Sequence, residues 1–155
     1  MRLEYFQMLD EIETLDRDQA SLVAVAHVPS ESSVFEGHFP GHPIMPGVLL
    51  LETMAQAAGY LLMTLDGFTR MPFFAGVKTA GFRAFVHPGS TLKVNASRLH
   101  AGSGYAVVSA SVHCRGTRVG DAQLTMRTMP FPSDALARHV RREGERLGLT
   151  KVEAG

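Results

Sequence analysis

Gly37-His-Phe-Pro-Gly-His-Pro-Ile-Met-Pro-Gly-Val-Leu-Leu-Leu-Glu-Thr-Met-Ala-Gln-Ala-Ala-Gly59 is the stretch whose reading decides the fold. Its first half belongs to an irregular segment, Pro29 to Pro46. Pro40, Pro43 and Pro46 lack a backbone donor and Gly37 and Gly41 invite turns, so neither a regular helix nor a central strand is expected there. The second half has the opposite character. Pro46-Gly47 is pre-organised to open a helix. The apolar run that follows, Val48 to Leu65, is interrupted by Glu52 and Gln56, and a stop near Asp66-Gly67 is expected. A helix that is apolar on nearly every face is one enclosed on all sides. Either a sheet wraps it or a second subunit covers it. A membrane span needs about 20 predominantly apolar residues, so this is read as a core helix, with no membrane span.

Outward from this helix the period changes. Ser21 to Val28 is rich in Val and Ala and reads as a strand. Pro72 to Val86 is strand-like, with Gly76 and Gly81 as bulges or close backbone approaches. Thr91 to Leu99 starts with alternation. Tyr105 to Cys114 alternates cleanly, placing Ala106, Val108, Ala110, Val112 and Cys114 on one side. Val119 to Thr128 is a last strand, ended by Pro130 and Pro132. Ala101-Gly-Ser-Gly104 and Arg115-Gly-Thr117 read as hairpin connections. Ser133 is placed to N-cap a helix reaching about Leu147, with Leu136 and Val140 on one face. Tyr5 to Asp16 has no decided type. The class is α+β: one buried helix and five or six mostly antiparallel strands.

The chain has 155 residues, of which 45% are hydrophobic and only 19% charged. Ordinary domains carry about 25% charged residues, so a surface hidden by oligomerisation is a reasonable expectation. Fifteen basic and fifteen acidic residues cancel, which argues against a nucleic-acid partner. The single Cys114 excludes an internal disulfide framework and zinc sites built on two cysteines. Glu4, Asp10, Glu11 and Glu13 in the first fifteen residues do not make a secretory signal, and a cytoplasmic protein is expected.

The chemistry concentrates around the helix start. His38 lies in the Pro/Gly loop and Glu52 in the first turns of the helix. A carboxylate among apolar neighbours is costly to bury unless it is paired or hydrogen-bonded. Gln56, at i+4, shares a face with Glu52 and is placed to orient it. The backbone N–H groups of Gly47 and Val48 are free to polarise a carbonyl. Base, acid and oxyanion donors of this kind are the minimum kit for abstracting a proton beside a carbonyl. Plainer readings stand beside it. A loop histidine is often only a structural hydrogen-bonder, and a glutamate in a first turn answers the helix dipole. His38 and His42 are four apart, but Pro40 and Gly41 between them deny the helical geometry of a metal pair, and no metal site is expected. Met45, Met54 and Met63 fit core or pocket lining.

These residues closely resemble the β-hydroxyacyl-acyl carrier protein dehydratases of the FabZ type. The hallmark is the His-Phe-Pro-Gly-His-Pro-Ile-Met-Pro-Gly-Val-Leu run from His38, continuing into Leu51-Glu-Thr-Met-Ala-Gln56, where Thr53 replaces the usual Ala. Phe73-Phe-Ala-Gly-Val77, Phe82-Arg83 and Val86-His-Pro-Gly89 resemble further family blocks. Glu4-Tyr-Phe-Gln-Met-Leu-Asp-Glu11 is only loosely similar to the family's N-terminal stretch. Gly81 stands where a basic residue is usual, and Lys78 is gained.

The resemblance implies a hotdog fold, a long central helix wrapped by an antiparallel sheet, over residues 1–129. Residues 130–155 would be a C-terminal extension, a short helix and tail. It implies a homodimer, often assembled further into a hexamer as a trimer of dimers. His38 would be the catalytic histidine and Glu52 the catalytic carboxylate, facing each other across the dimer interface. Gly47 would bind the thioester carbonyl, with Val48, Gln56, Phe39 and Met45 beside the substrate. Leu50, Met54 and Tyr60 would line an acyl tunnel. Glu52, where the isomerising FabA-type relatives carry Asp, favours simple dehydration of a (3R)-3-hydroxyacyl thioester to the trans-2-enoyl product in fatty acid or related lipid biosynthesis. The acyl group would arrive on the phosphopantetheine arm of acyl carrier protein, docking near Lys78 and Arg83. Elimination moves only protons, so no cofactor is implied. A hotdog acyl thioesterase and a non-catalytic acyl-binding subunit are the competing readings.

Overall fold

The computed structural model describes residues 1–153. A 3₁₀ turn, Leu3–Tyr5, precedes β1 (Glu11–Asp16) and β2 (Ser21–His27). Then come a one-turn helix α1 (Ser33–Gly37), the long α2 (Gly47–Leu65), β3 (Arg70–Phe82), β4 (Thr91–Gly102), β5 (Tyr105–Cys114) and β6 (Thr117–Pro130). Two helices, α3 (Asp134–Arg146) and α4 (Leu149–Glu153), close the chain. All strands pair antiparallel in one six-stranded sheet of order β1-β2-β4-β5-β6-β3. The sheet wraps α2, which is the hotdog arrangement.

Local rules account for most of these bounds. Pro46 is the N-cap of α2 and Asp66 its C-cap, with the left-handed Gly67 next. Alternation on β5 buries Ala106, Val108, Ala110 and Val112. These face α2 together with Leu92, Val94 and Ala96 of β4 and Leu22 and Ala24 of β2. From the helix side come Met54, Ala57, Ala58 and Leu61, all fully buried. Alanine on both sides lets helix and sheet approach closely. α2 is long and apolar enough to cross a membrane by composition alone, but this packing makes it a core helix. Thr53 fits that core because its hydroxyl donates to the Leu49 carbonyl one turn back, at 2.7 Å.

Three expectations need correction. The stretch from Pro29 to Pro46 is not wholly irregular. Ser32 caps α1, its Oγ accepting from the Val34 N–H at 3.1 Å, and Phe35 anchors the turn in the core. Secondly, of the two covers expected for α2, the sheet of one chain does not suffice alone. Val48 is 72% exposed, and Glu52, Gln56 and Tyr60, each four residues on, are half-buried, so an open stripe runs along the helix. Lastly, β3 ends at Phe82 rather than Val86, and its bulges lie at Phe74/Gly76 and Val77/Thr79.

Candidate active site

The loop before α2 is held by its own backbone. Pro40 and Gly41 occupy the central positions of a tight turn whose ends exchange hydrogen bonds: His42 N–H to the Phe39 carbonyl at 2.9 Å, and Phe39 N–H to the His42 carbonyl at 3.0 Å. Gly41 has φ of +72°, which fits a type II turn with proline and glycine in that order. The His38 carbonyl accepts from Ile44 N–H, and Met45 N–H donates to the Val86 carbonyl at 2.7 Å. His38 is half-buried, with its ring 4.0 Å from the Phe39 ring, centre to centre, across a cis peptide bond. Below it, Glu4 accepts from the Ser32 and Ser33 hydroxyls and the Ser33 N–H, bracing α1. The Ser32 hydroxyl is the main reason the Glu4 carboxyl is held below its ordinary range.

Glu52 is half-buried, not sealed in an apolar core as the sequence suggested, because it lies on the open stripe of α2. Gln56 holds it: Nε2 donates to Glu52 Oε1 at 2.9 Å and to the Phe6 carbonyl at 2.6 Å, while Oε1 accepts from Met8 N–H at 3.1 Å. The amide is thus clamped by the N-terminal segment, with both ends assigned by the network. Sequence reasoning found the Glu52–Gln56 pair but not this clamp, which is made of backbone groups 48 and 50 residues away and has no side-chain signature.

Glu52 and Gln56 open onto a groove of about 380 Å³ between α2, β3, the N-terminal segment and α3. Of the described residues, His38 is not one that lines it. Of the tunnel candidates, Tyr60 lines the groove. Leu50 and Met54 do not: 2% and 0% exposed, they face the core. Met45, expected beside the substrate, is also packed into the core, and its backbone N–H donates to the Val86 carbonyl. Burial, then Glu143, push the Tyr60 hydroxyl up to about 12, with Arg146 opposing.

Gly47, at the first turn of α2, lies against Phe82; a Cβ there would come within 3.3 Å of the ring. Gly120 clears the other side, where a Cβ would meet Phe82 at 3.0 Å. Two glycines thus seat one aromatic ring beside the free N–H groups of the helix start, a feature sequence reasoning missed. Val48 and Phe39 are exposed, as are Lys78 on β3 and Arg83 just after it; Arg83 pairs with Asp121. Among the described residues, no cluster of three or more His, Cys, Asp or Glu is positioned to hold a metal.

Residues 2–123 match a family model described as a FabA-like domain, and the chain belongs to that family. Within it, the chain is 35% identical to the 3-hydroxyacyl-[acyl-carrier-protein] dehydratase FabZ of Syntrophotalea carbinolica, over 83% of this chain and 88% of that one. It is 39% identical to the FabZ of Thermus thermophilus, over 77% and 84%. Among solved structures, a hypothetical thioesterase with coenzyme A from Streptococcus pneumoniae superposes with a TM-score of 0.63 at 17% identity, covering 79% of this chain and 88% of that one, a likeness of fold.

Proposed function

We propose that the protein removes water from (3R)-3-hydroxyacyl thioesters carried by acyl carrier protein, giving trans-2-enoyl thioesters in fatty acid or related lipid biosynthesis. The observation that carries this reading is a glutamate clamped by Gln56 at the mouth of an apolar groove, in a chain that belongs to a dehydratase family. His38 takes the proton from the α carbon. The electron pair left behind forms the Cα–Cβ double bond, and the Cβ–O bond breaks. Glu52, protonated, gives its proton to the departing hydroxyl, which leaves as water. The α proton is weakly acidic, so the Gly47 N–H must polarise the thioester carbonyl; one such donor is worth about 3–4 kcal/mol. No electron leaves the substrate, and none of these steps calls for a cofactor.

The active unit is a homodimer in this reading, with His38 and Glu52 of each site supplied by different chains. Two observations support it. His38 lies off the groove that Glu52 opens onto, and β3 is a sheet edge with Phe73, Val77 and Phe82 exposed. Further assembly into a hexamer, a cytoplasmic location, and docking of the carrier protein near Lys78 and Arg83 belong to the same proposal. So does the division into a catalytic domain to residue 129 and an extension from 130 onward.

Incubation with 3-hydroxyacyl and trans-2-enoyl thioesters tests it. Dehydration predicts reversible gain and loss of the conjugated enoyl absorbance with the thioester intact. Release of free thiol instead would establish a thioesterase, and binding without either reaction an acyl-binding subunit.

A further inference from the structure

The groove that starts at Glu52 does not end inside the residues matched by the family model. Its far wall is α3, which contributes His139, Val140, Glu143 and Arg146. Several contacts hold α3 against the C-terminal half of α2 and the turn after it. Arg141 donates to the Gly67 carbonyl at 3.2 Å, and its guanidinium lies 5.0 Å from the centre of the Phe68 ring. Gly144 is buried inside α3, where glycine is a poor helix residue. A Cβ there would lie 2.8 Å from Leu149, so its absence is what lets α4 fold back on α3, with Phe68 and Tyr60 of the α2 side at ordinary contact distance. The extension is also anchored below: Ile12 N–H donates to the Leu147 carbonyl at 2.7 Å, and Leu147 and Leu149 belong to the core.

The walls of the groove are mixed. Ala55, Met63, Met71, Phe74 and Met126 supply apolar surface. At the α3 end, Arg146 Nε donates to the Glu143 carboxylate at 2.9 Å. Glu52 and Tyr60 are about 12 Å apart along the α2 axis. An alkyl tail gains from the apolar walls, but to displace the α3 wall it would have to strip water from an ion pair.

We propose that α3 is a chain-length stop, built by the C-terminal extension, which blocks acyl tails that outgrow the apolar groove. The assignment of the occupant rests on the dehydratase reading: the groove begins at Glu52, where the thioester end would react. Ala55, Met63, Met71 and Met126 among its walls offer an alkyl tail apolar surface.

Inert S-alkyl pantetheine thioethers, from butyl to hexadecyl, test the stop by calorimetry without requiring turnover. Affinity should rise roughly fourfold per added methylene until the tail meets α3, then level off or fall. Val140→Phe, which adds bulk from α3 into the groove, should move that break to shorter chains. The double variant Glu143→Ala/Arg146→Ala, which removes the polar wall from the surface of α3, should move it to longer ones and serves if the first variant fails to fold. A steady rise to the longest tail, or a break in the same place in the folded variants, overturns the stop. Enoyl hydration on the same samples separates the two claims. Alkyl binding with a movable break but no hydration removes the dehydratase reading and keeps the stop; hydration with an immovable break does the reverse.

Discussion

β6 and β3 are neighbours in the sheet, both rich in apolar residues, and they meet opposite fates. Leu124 of β6 is 0% exposed, while Val77, opposite it on β3, is 39% exposed. Met126 is 3% exposed and its partner Phe74 46%. Directly opposed residues share a face of the sheet, so the difference is not one of direction. It lies in what flanks each strand. α2 packs against both strands, but β6 is flanked by β5 and β3, whereas β3 closes the sheet and is paired along one edge only. An apolar strand left this way at a sheet edge invites another chain. In the proposed dimer, covering β3 and bringing His38 to Glu52 are one event, so the least finished surface of the monomer is also where its chemistry is completed.

The largest expected effect breaks the chemistry while sparing both strands. His38→Ala and Glu52→Gln should each lower enoyl hydration about 100- to 10,000-fold in a folded protein. Mixed after subunit exchange, the two inactive variants should recover roughly a quarter of wild-type activity. Half the dimers are then mixed, and each mixed dimer holds one intact site of two. Mixed dimers seen by mass spectrometry without recovered activity would reject the shared site.

Substitutions on the two strands themselves should part company. Leu124→Ala, in the covered strand, should cost about 2–5 kcal/mol in a denaturant titration. Val77→Arg, in the uncovered one, should keep the circular dichroism spectrum but shift sedimentation toward monomer, with activity falling in step. A Val77→Arg protein that stays dimeric and active would place the interface elsewhere.

Smaller effects come from two titrating groups, Tyr60 in the groove and Glu4 against the start of α1. Tyr60 ionises ordinarily at 10.0 and is pushed up to about 12 in the fold. The unfolded chain then loses its proton first, so stability is complete below pH 10 and declines as pH rises toward about 12. Tyr60→Phe should flatten that alkaline slope in thermal scans. Glu4 has the opposite sign. Its carboxyl is held below the ordinary 4.5, so its contribution is present above that value and is lost as pH falls through the lowered one. Glu4→Gln should therefore lower Tm slightly at neutral pH and match wild type in acid. A difference that persists in acid would show that the hydroxyl contacts, not the charge, brace α1.

The sequence by itself determined what is local. Pro46-Gly47 and Asp66-Gly67 bound α2 because proline suits a helix start and glycine takes the left-handed residue after its end. Two-residue alternation placed β5, Pro40-Gly41 the turn beside His38, and the i, i+4 spacing the Glu52–Gln56 pair. Only the tertiary structure decided what depends on distant segments. It left Glu52 half-exposed, turned Leu50, Met54 and Met45 into the core, clamped Gln56 with Phe6 and Met8, and brought α3 to the end of the groove. The physical reason is that composition says which residues gain from burial, whereas the segments that bury them come from remote parts of the chain. At the sheet edge Phe74 and Val77 of β3 stay exposed in this chain, and an apolar strand reads alike whether its own fold or a second copy would conceal it.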